Sequence, residues 1–401
     1  MNDFGFAPER LAFIEEHLQR KYIDTNRYIG TLMGIYRGGE LGYVSGLGLM
    51  DREGKRPIKR DTIFRVYSMT KPITSVALMT LYERGFFQLD DPVSDYIPSF
   101  RDFQVYQEGA IGNFMTSSPE REMTMRDLLT HQSGLTYGFM ERTSVDEAYR
   151  QLGIEKESQE SLEEFVESLA SIPLEFSPGK AWNYSVSTDV CGYLIEVITG
   201  KTLDEFLKTE IFEPLNMVDT GFYVPSGKKS RLASCYQHRE LKQPKLVDDA
   251  ITGTYLTLPK VLSGGGGLVS TLDDYMSFCK MILNGGESKD HRIISRKTLD
   301  LMRSNHLENG KDLRSCAYGR WSETSYTGVG FGLGFSVLLD PAASQVSGSV
   351  GELAWGGAAS TAFWIDPLED MAVVFMTQLL PSSQFNVRRE LRSLVYSAMS
   401  D

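Results

Sequence analysis

Four serine–lysine pairs stand three residues apart in this chain: Ser68/Lys71, Ser177/Lys180, Ser226/Lys229 and Ser277/Lys280. Such a spacing puts a hydroxyl and an amine on one side of a helical turn. There the amine can take the proton that makes serine a nucleophile. Context separates the four. Ser177 runs into Pro178-Gly179, a turn that cannot carry a helix. Ser226 lies in the polar turn SGKK, and Ser277 sits inside a helical pattern where its hydroxyl would face solvent or bond back to the preceding turn. Ser68 follows the apolar run Ile63–Tyr67 and opens a helix. Pro72 is tolerated there because first-turn N–H groups have no intrahelical partner. That helix is apolar on most sides (Ile73, Val76, Ala77, Leu78, Met79, Leu81), so it should be buried, with Ser68 and Lys71 at its positive end. On spacing alone, a helix cap beside a snorkelling lysine explains the pair at least as well as a nucleophile does.

A nucleophilic serine needs a base. A free lysine, with a pKa of about 10.4, must move by roughly 3.4 units, about 4.6 kcal/mol, to serve near pH 7. Burial and a neighbouring group supply shifts of that size. Tyrosine needs a similar shift, and a close Lys/Tyr pair titrates as a unit. Tyr184, in Trp182-Asn183-Tyr184-Ser185 between a Pro-Gly turn and a helix, is placed to aim a phenol into a site; a core tyrosine is the plainer alternative.

Other chemistries lack their residues. There is no G-x-S-x-G elbow and no G-x-x-x-x-G-K-[ST] loop. The run Gly264–Gly267 is therefore expected to give tight turning and close backbone approach. The five histidines form no HExxH or HxH pair, so no metal site is expected, and no cofactor. His131 reads as a structural histidine after a helix end. The four cysteines are far apart with no CxxC and read as buried or free thiols.

The elements that must position Ser68 and Tyr184 can be outlined. Residues 1–22 contain an amphipathic helix and 29–50 a glycine-punctuated hairpin. The Ser68 helix should stop at Gly85. The stretch 100–180 reads as loop-rich and helical, with helices at Met123–His131 and Ser161–Ser171. Ser187–Thr199 is a further helix closed by Gly200, and another begins after 270 with Ser270 or Thr271 as its cap. Phe331–Leu339, Gly351–Trp355, Ser360–Ile365 and Met371–Gln378 are strand candidates, and Val387–Met399 is a closing helix. Sheet-forming segments at both ends with helices between predict an α+β fold. An antiparallel sheet flanked by helices is assembled from both termini, with a mostly helical domain inserted.

The segment FRVYSMTKPITSVALMTLYERGFFQLDDPVSDYIP resembles the nucleophile region of the serine β-lactamase-like superfamily. LLTHQSGL, SPGKAWNYSVSTDVCGYLIEVITG, IFEPLNMVDTGF, SGGGGLVSTLDDYMSF and ELAWGGAASTAFWIDP match its later landmarks in order, across most of residues 10–385. Within it the chain is most similar to family VIII carboxylesterases. The resemblance implies a serine β-lactamase/D,D-peptidase-like fold. Its sheet domain would hold 1–75, 182–220 and 335–401 and its helical domain 76–181 and 221–334, with the active site in the cleft between them. It implies Ser68 as the acylated nucleophile, Lys71 as its activating partner and Tyr184 as base or relay. The oxyanion hole would be the backbone N–H groups of Ser68 and Ala358. Trp355-Gly356-Gly357 occupies the place of the β-lactamase Lys-Thr-Gly triplet and, with Tyr137, is expected to line the substrate cleft.

Two departures carry chemistry. Trp355 offers no cation to an anionic drug, and Tyr184-Ser185-Val186 replaces Tyr-x-Asn, so no side-chain amide is present. Both favour neutral, apolar substrates, and hence a serine carboxylesterase for small, short-chain esters. A β-lactamase, D-amino-acid peptidase, amidase or acyltransferase of the same superfamily is the alternative, and a silent binding protein on the same scaffold is a third.

The bulk properties agree with this. Of 401 residues, 53 are acidic and 41 basic, a formal charge of −12, which weighs against a nucleic-acid partner. Apolar residues make up 41% and charged ones 23%, as in ordinary globular proteins. No run approaches the length of a membrane span, and the N-terminus lacks the pattern of a signal peptide, so a cytoplasmic enzyme of a small-molecule ester is expected.

Overall fold

The apolar block at 371–376 alternates between two environments. Met371, Val373 and Phe375 enter one buried cluster, and Ala372, Val374 and Met376 the other. A strand buried on both faces needs cover on both sides. The computed structural model describes residues 4–154, 160–289, 291–319 and 325–400 and shows that cover. Eight strands form one sheet: β1 (Gly30–Arg37), β2 (Glu40–Asp51), β3 (Arg56–Pro57), β4 (Val329–Phe331), β5 (Ser336–Leu338), β6 (Leu353–Gly356), β7 (Ala362–Asp366) and β8 (Met371–Thr377). Their order is β4-β5-β6-β7-β8-β1-β2-β3, and every pairing is antiparallel. The chain's two ends meet where β8 pairs with β1, from Thr31 opposite Thr377 to Arg37 opposite Met371. The α+β architecture built from both termini is therefore present.

Helices α1 (Pro8–Leu18) and α5 (Val387–Ser397) cover one face, through Leu11, Ile14 and Leu18 and through Val387, Leu391 and Val395. On the other side lie α2 (Thr70–Glu83), α3 (Ser187–Thr199) and α4 (Leu272–Leu283). Every residue of α2 from Thr70 to Leu81 is buried, as its all-round apolar surface requires. It packs on α3, while α4 lies on β8, β1 and β7. Thr271 caps α4 by accepting the Asp274 N–H at 3.2 Å.

Two expectations are corrected. The segment 331–339 is not one strand: β4 and β5 form a hairpin reversed at Gly334, whose φ is +96°. The stretch 100–180 is not purely loop and helix. It holds the hairpin Val105–Ala110/Asn113–Ser117, whose mostly exposed residues leave no apolar alternation to read. Helix α4 packs directly on the sheet, and β4 is its edge strand. Gly34 makes room for α4: a Cβ there would lie 3.1 Å from a Leu272 methyl.

A polar cluster ties together the two loops that carry Tyr137 and Tyr184. Asp146 accepts the Thr136 hydroxyl at 2.7 Å and the Arg142 N–H at 2.8 Å. Arg142 donates to Asn183 Oδ1 at 2.9 Å, and Asn183 donates to the Leu135 carbonyl at 2.9 Å. Glu175, 4% exposed, accepts the Thr143 hydroxyl at 2.5 Å. Burial, with neighbouring Asp146 adding to it, pushes the Glu175 carboxyl up from 4.5 to about 7. A carboxyl raised in the folded state stabilises fully below its unfolded pKa, and that contribution is lost as pH climbs toward the folded value. Glu175→Gln is therefore expected to flatten the fall in melting temperature between pH 5 and pH 8 and to melt above the wild type at pH 8. An unchanged difference between the two pH values would show that Glu175 holds no proton.

Candidate active site

Ser68 sits in a single 3-10 turn, Tyr67–Met69, that leads into α2, so the regular helix starts two residues later than the sequence suggests. The turn is fixed on both sides. Before it, Phe64–Arg65 pairs with Val269–Ser270. Tyr67 has φ +43°, a conformation a bulky side chain adopts only when its surroundings impose it. Ser68 is 8% exposed and Lys71 2%.

Lys71 Nζ lies 3.5 Å from Ser68 Oγ. It also donates to the Gly265 carbonyl at 2.7 Å and meets the Tyr137 hydroxyl at 2.9 Å. The ammonium stands over the Tyr184 ring, 4.5 Å from its centroid, and the rings of Tyr137 and Tyr184 are 5.3 Å apart. The serine, the lysine and both tyrosines are thus brought together. Tyr137, expected only to line the cleft, touches the lysine directly.

Among the groups around the lysine, Asp189 is one that the sequence reading did not single out. Asp189 in the first turn of α3 accepts the Ser263 hydroxyl at 2.5 Å and the Gly265 N–H at 3.0 Å. Burial pushes its carboxyl up, and the charge of Lys71 pulls it back down. The four-glycine run is required by close approach: a Cβ on Gly265 would lie 2.4 Å from Asp189 Oδ2. A signal for Asp189 existed, since it is the acid in the first turn of a helix that continues through the apolar Val190, Cys191, Leu194 and Ile195. The Gly265 carbonyl left none, because a backbone acceptor has no residue signature. His131 is buried, and burial, followed by the charge of Lys71, holds its pKa well below the ordinary value. Its ring packs 5.1 Å from Tyr184 and its Nδ1 lies 3.2 Å from Ser185 Oγ.

The segment after β6 closes the site from the sheet side. Trp355 is 2% exposed and packs against Tyr184 at 5.5 Å and Phe331 at 5.4 Å, so it is a wall of the ring cluster. Gly356 and Gly357 are buried, and β6 lies against the 67–69 turn. A Cβ on Gly357 would lie 2.4 Å from the Val66 carbonyl, so only glycine lets the two segments approach this closely. Among the described residues, neither the Ser68 nor the Ala358 N–H has a backbone partner. Among the described residues, no group of three acidic, histidine or cysteine side chains converges as for a metal ion, and no helix is long and apolar enough to cross a membrane. The arrangement can deprotonate a hydroxyl beside a buried amine and offers unbonded N–H groups to an anion.

Comparison with known proteins agrees. Esterase EstB of Burkholderia gladioli is 30% identical over 376 residues, covering 88% of this chain and 86% of that protein. Monacolin J acid methylbutanoyltransferase of Aspergillus terreus is 27% identical, covering 81% and 79%. The solved structure of EstCE1, described as a hydrolase with promiscuous acyltransferase activity, superposes with a TM-score of 0.81 at 27% identity, over 97% of this chain and 99% of that one. The Beta-lactamase family profile matches residues 14–397. The chain therefore belongs to the Beta-lactamase family, as a serine hydrolase with the β-lactamase-like fold and a likeness to the family VIII esterases.

Proposed function

We propose that the protein is a carboxylesterase that cleaves small, short-chain esters through an acyl-enzyme on Ser68. The observation that carries this reading is Lys71, buried between Ser68 Oγ, Tyr137 and the Tyr184 ring, in a site whose sheet wall presents Trp355 where a cation would hold an anionic drug. Ser68 Oγ attacks the ester carbonyl, and its proton passes to the Lys71–tyrosine pair, which accepts it because it holds one proton fewer than its full complement, as a phenolate beside the ammonium or a phenol beside the free amine. The carbonyl oxygen becomes an oxyanion between the N–H groups of Ser68 and Ala358. The C–O bond then breaks, and the alcohol leaves with the proton. Water, activated through Tyr184, attacks the acyl-enzyme and releases the acid. Tyr137 acts as a further partner of the amine. Gly356 and Gly357 contribute backbone and close approach, and Trp355 walls the acyl or alcohol portion.

A second reading, acyl transfer to an alcohol in place of water, is favoured by the buried ring cluster beside the serine and by the similarity to a methylbutanoyltransferase. The test compares kcat/KM for p-nitrophenyl esters of graded acyl length with that for a chromogenic cephalosporin. The expected result is a larger value for the short esters. A larger value for the cephalosporin overturns the esterase reading.

A further inference from the structure

We propose that Arg388 is a positioning residue that holds and polarises, from behind, the peptide group whose N–H receives the oxyanion. This rests on the acyl-enzyme reading above. Arg388 is the second residue of α5, on the opposite face of the sheet from Ser68. Its Nη2 donates to the Gly357 carbonyl at 2.9 Å and to the Thr361 carbonyl at 2.7 Å. The Gly357 carbonyl and the Ala358 N–H belong to one peptide unit. That unit is planar and trans, so its C=O and N–H point in opposite directions. A cation on the oxygen fixes the plane of the unit. It also draws electron density toward the oxygen and leaves the N–H a stronger donor. The N–H of Ser360 donates to the same oxygen at 3.0 Å, so the carbonyl is gripped by two donors. The Gly357 N–H closes the turn by donating to the Thr361 carbonyl at 3.0 Å.

The two glycines fit this arrangement. A Cβ on Gly356 would lie 2.4 Å from Arg388 Nη2 and 2.5 Å from its Cζ, so glycine admits the guanidinium behind the strand. Gly357 admits Val66, and with it the nucleophile turn, in front. The charge of Arg388 therefore acts on the reaction without touching substrate. It strengthens a donor that matters only when the carbonyl oxygen becomes an anion, so it belongs to kcat rather than to KM.

The experiment makes Arg388→Ala, Arg388→Lys and Arg389→Ala in the full chain. It measures kcat and KM for a p-nitrophenyl ester, the melting temperature, and the Ki of an aryl trifluoromethyl ketone whose hemiketal oxyanion occupies the same place. Arg388→Ala is expected to lower kcat by about tenfold to a hundredfold, less than deleting a donor outright, with little change in KM. The ketone's Ki should rise in proportion, and millimolar guanidinium should restore part of kcat. Arg389, which donates to the Gln345 carbonyl, should be silent on substitution. If Arg388→Ala does not fold, Arg388→Lys decides by the same proportionality between kcat/KM and Ki. A kcat within about twofold of wild type, or a fall in kcat with the ketone's Ki unmoved, overturns the proposal. The underlying reading fails separately, if Ser68→Ala retains turnover. A dead Ser68→Ala beside an active Arg388→Ala rejects only the role of the arginine.

Discussion

Ser68→Ala is expected to lower kcat/KM for a p-nitrophenyl ester by about 10⁴–10⁶-fold while leaving the melting temperature close to that of the wild type. The kinetic loss follows from chemistry, since without Oγ there is no acyl-enzyme and only binding and the oxyanion donors remain. The small structural effect follows from the geometry. The Ser68 hydroxyl meets Lys71 at 3.5 Å, at the long limit of a hydrogen bond. The turn is held by groups other than its hydroxyl: the Phe64–Arg65/Val269–Ser270 pairing, the Met69 N–H bonded to the Val66 carbonyl, and the contact with β6. Intact mass after a fluorophosphonate probe gives a second readout. The wild type should gain one adduct, mapping to Ser68, and the variant none. Turnover near wild type in Ser68→Ala, or an adduct elsewhere in the wild type, would remove the foundation of the proposed mechanism.

What could be read from the residues, and what could not, follows from the range of the interactions. Helix ends were legible because caps are local: Gly200 closes α3 at φ +69°, and Thr271 opens α4. Strands β7 and β8 were legible because both their faces are buried and they carry unbroken apolar runs. The hairpin 105–117 and the short strands Cys235–Gln237 and Lys245–Asp248 were not, since brief, half-exposed strands show neither a run nor an alternation. The pairing of β8 with β1 joins residues more than 330 positions apart, and only the whole fold states which strand is whose neighbour.

The same distinction holds at the site. Ser68 and Lys71 are one turn apart, a spacing that three other pairs share, and it was the apolar helix after Ser68 and the resemblance of its segment that singled this pair out. Tyr137 sits in Leu135-Thr136-Tyr137-Gly138, with no periodicity to aim it, and its place beside the amine is fixed by Asp146 and Arg142. Gly265 and Gly357 act through backbone carbonyls, which every residue type possesses. Asp189, bonded to the Gly265 N–H, and Arg388, bonded to the Gly357 carbonyl, stand one step further from anything a motif records.

Lys71→Met should have the second largest effect, lowering kcat/KM by about 10³–10⁵-fold while changing stability much less. Two opposing terms set the stability change. Methionine keeps most of the stem's volume and removes a charge from a position only 2% exposed, which lowers the cost of burial. Against that, the Gly265 carbonyl loses its donor at 2.7 Å, a loss of about 1–3 kcal/mol for an orphaned buried acceptor. These terms offset each other. A 10⁴-fold kinetic loss corresponds to about 5.5 kcal/mol, and nothing offsets it, because no other amine lies within hydrogen-bond reach of Ser68 among the described residues. The lysine's charge also leaves a signature that activity does not report. Burial first and Lys71 second depress the His131 pKa, so removing the cation should raise the His131 midpoint, observed by NMR of its ring, yet leave it below the ordinary histidine value. Asp189 should move upward too, since Lys71 is the largest of the influences that pull its carboxyl down against burial. An unmoved His131 would mean that the amine carries no charge in the resting enzyme. Retention of more than about a tenth of wild-type kcat/KM would mean that the proton of Ser68 leaves by another route.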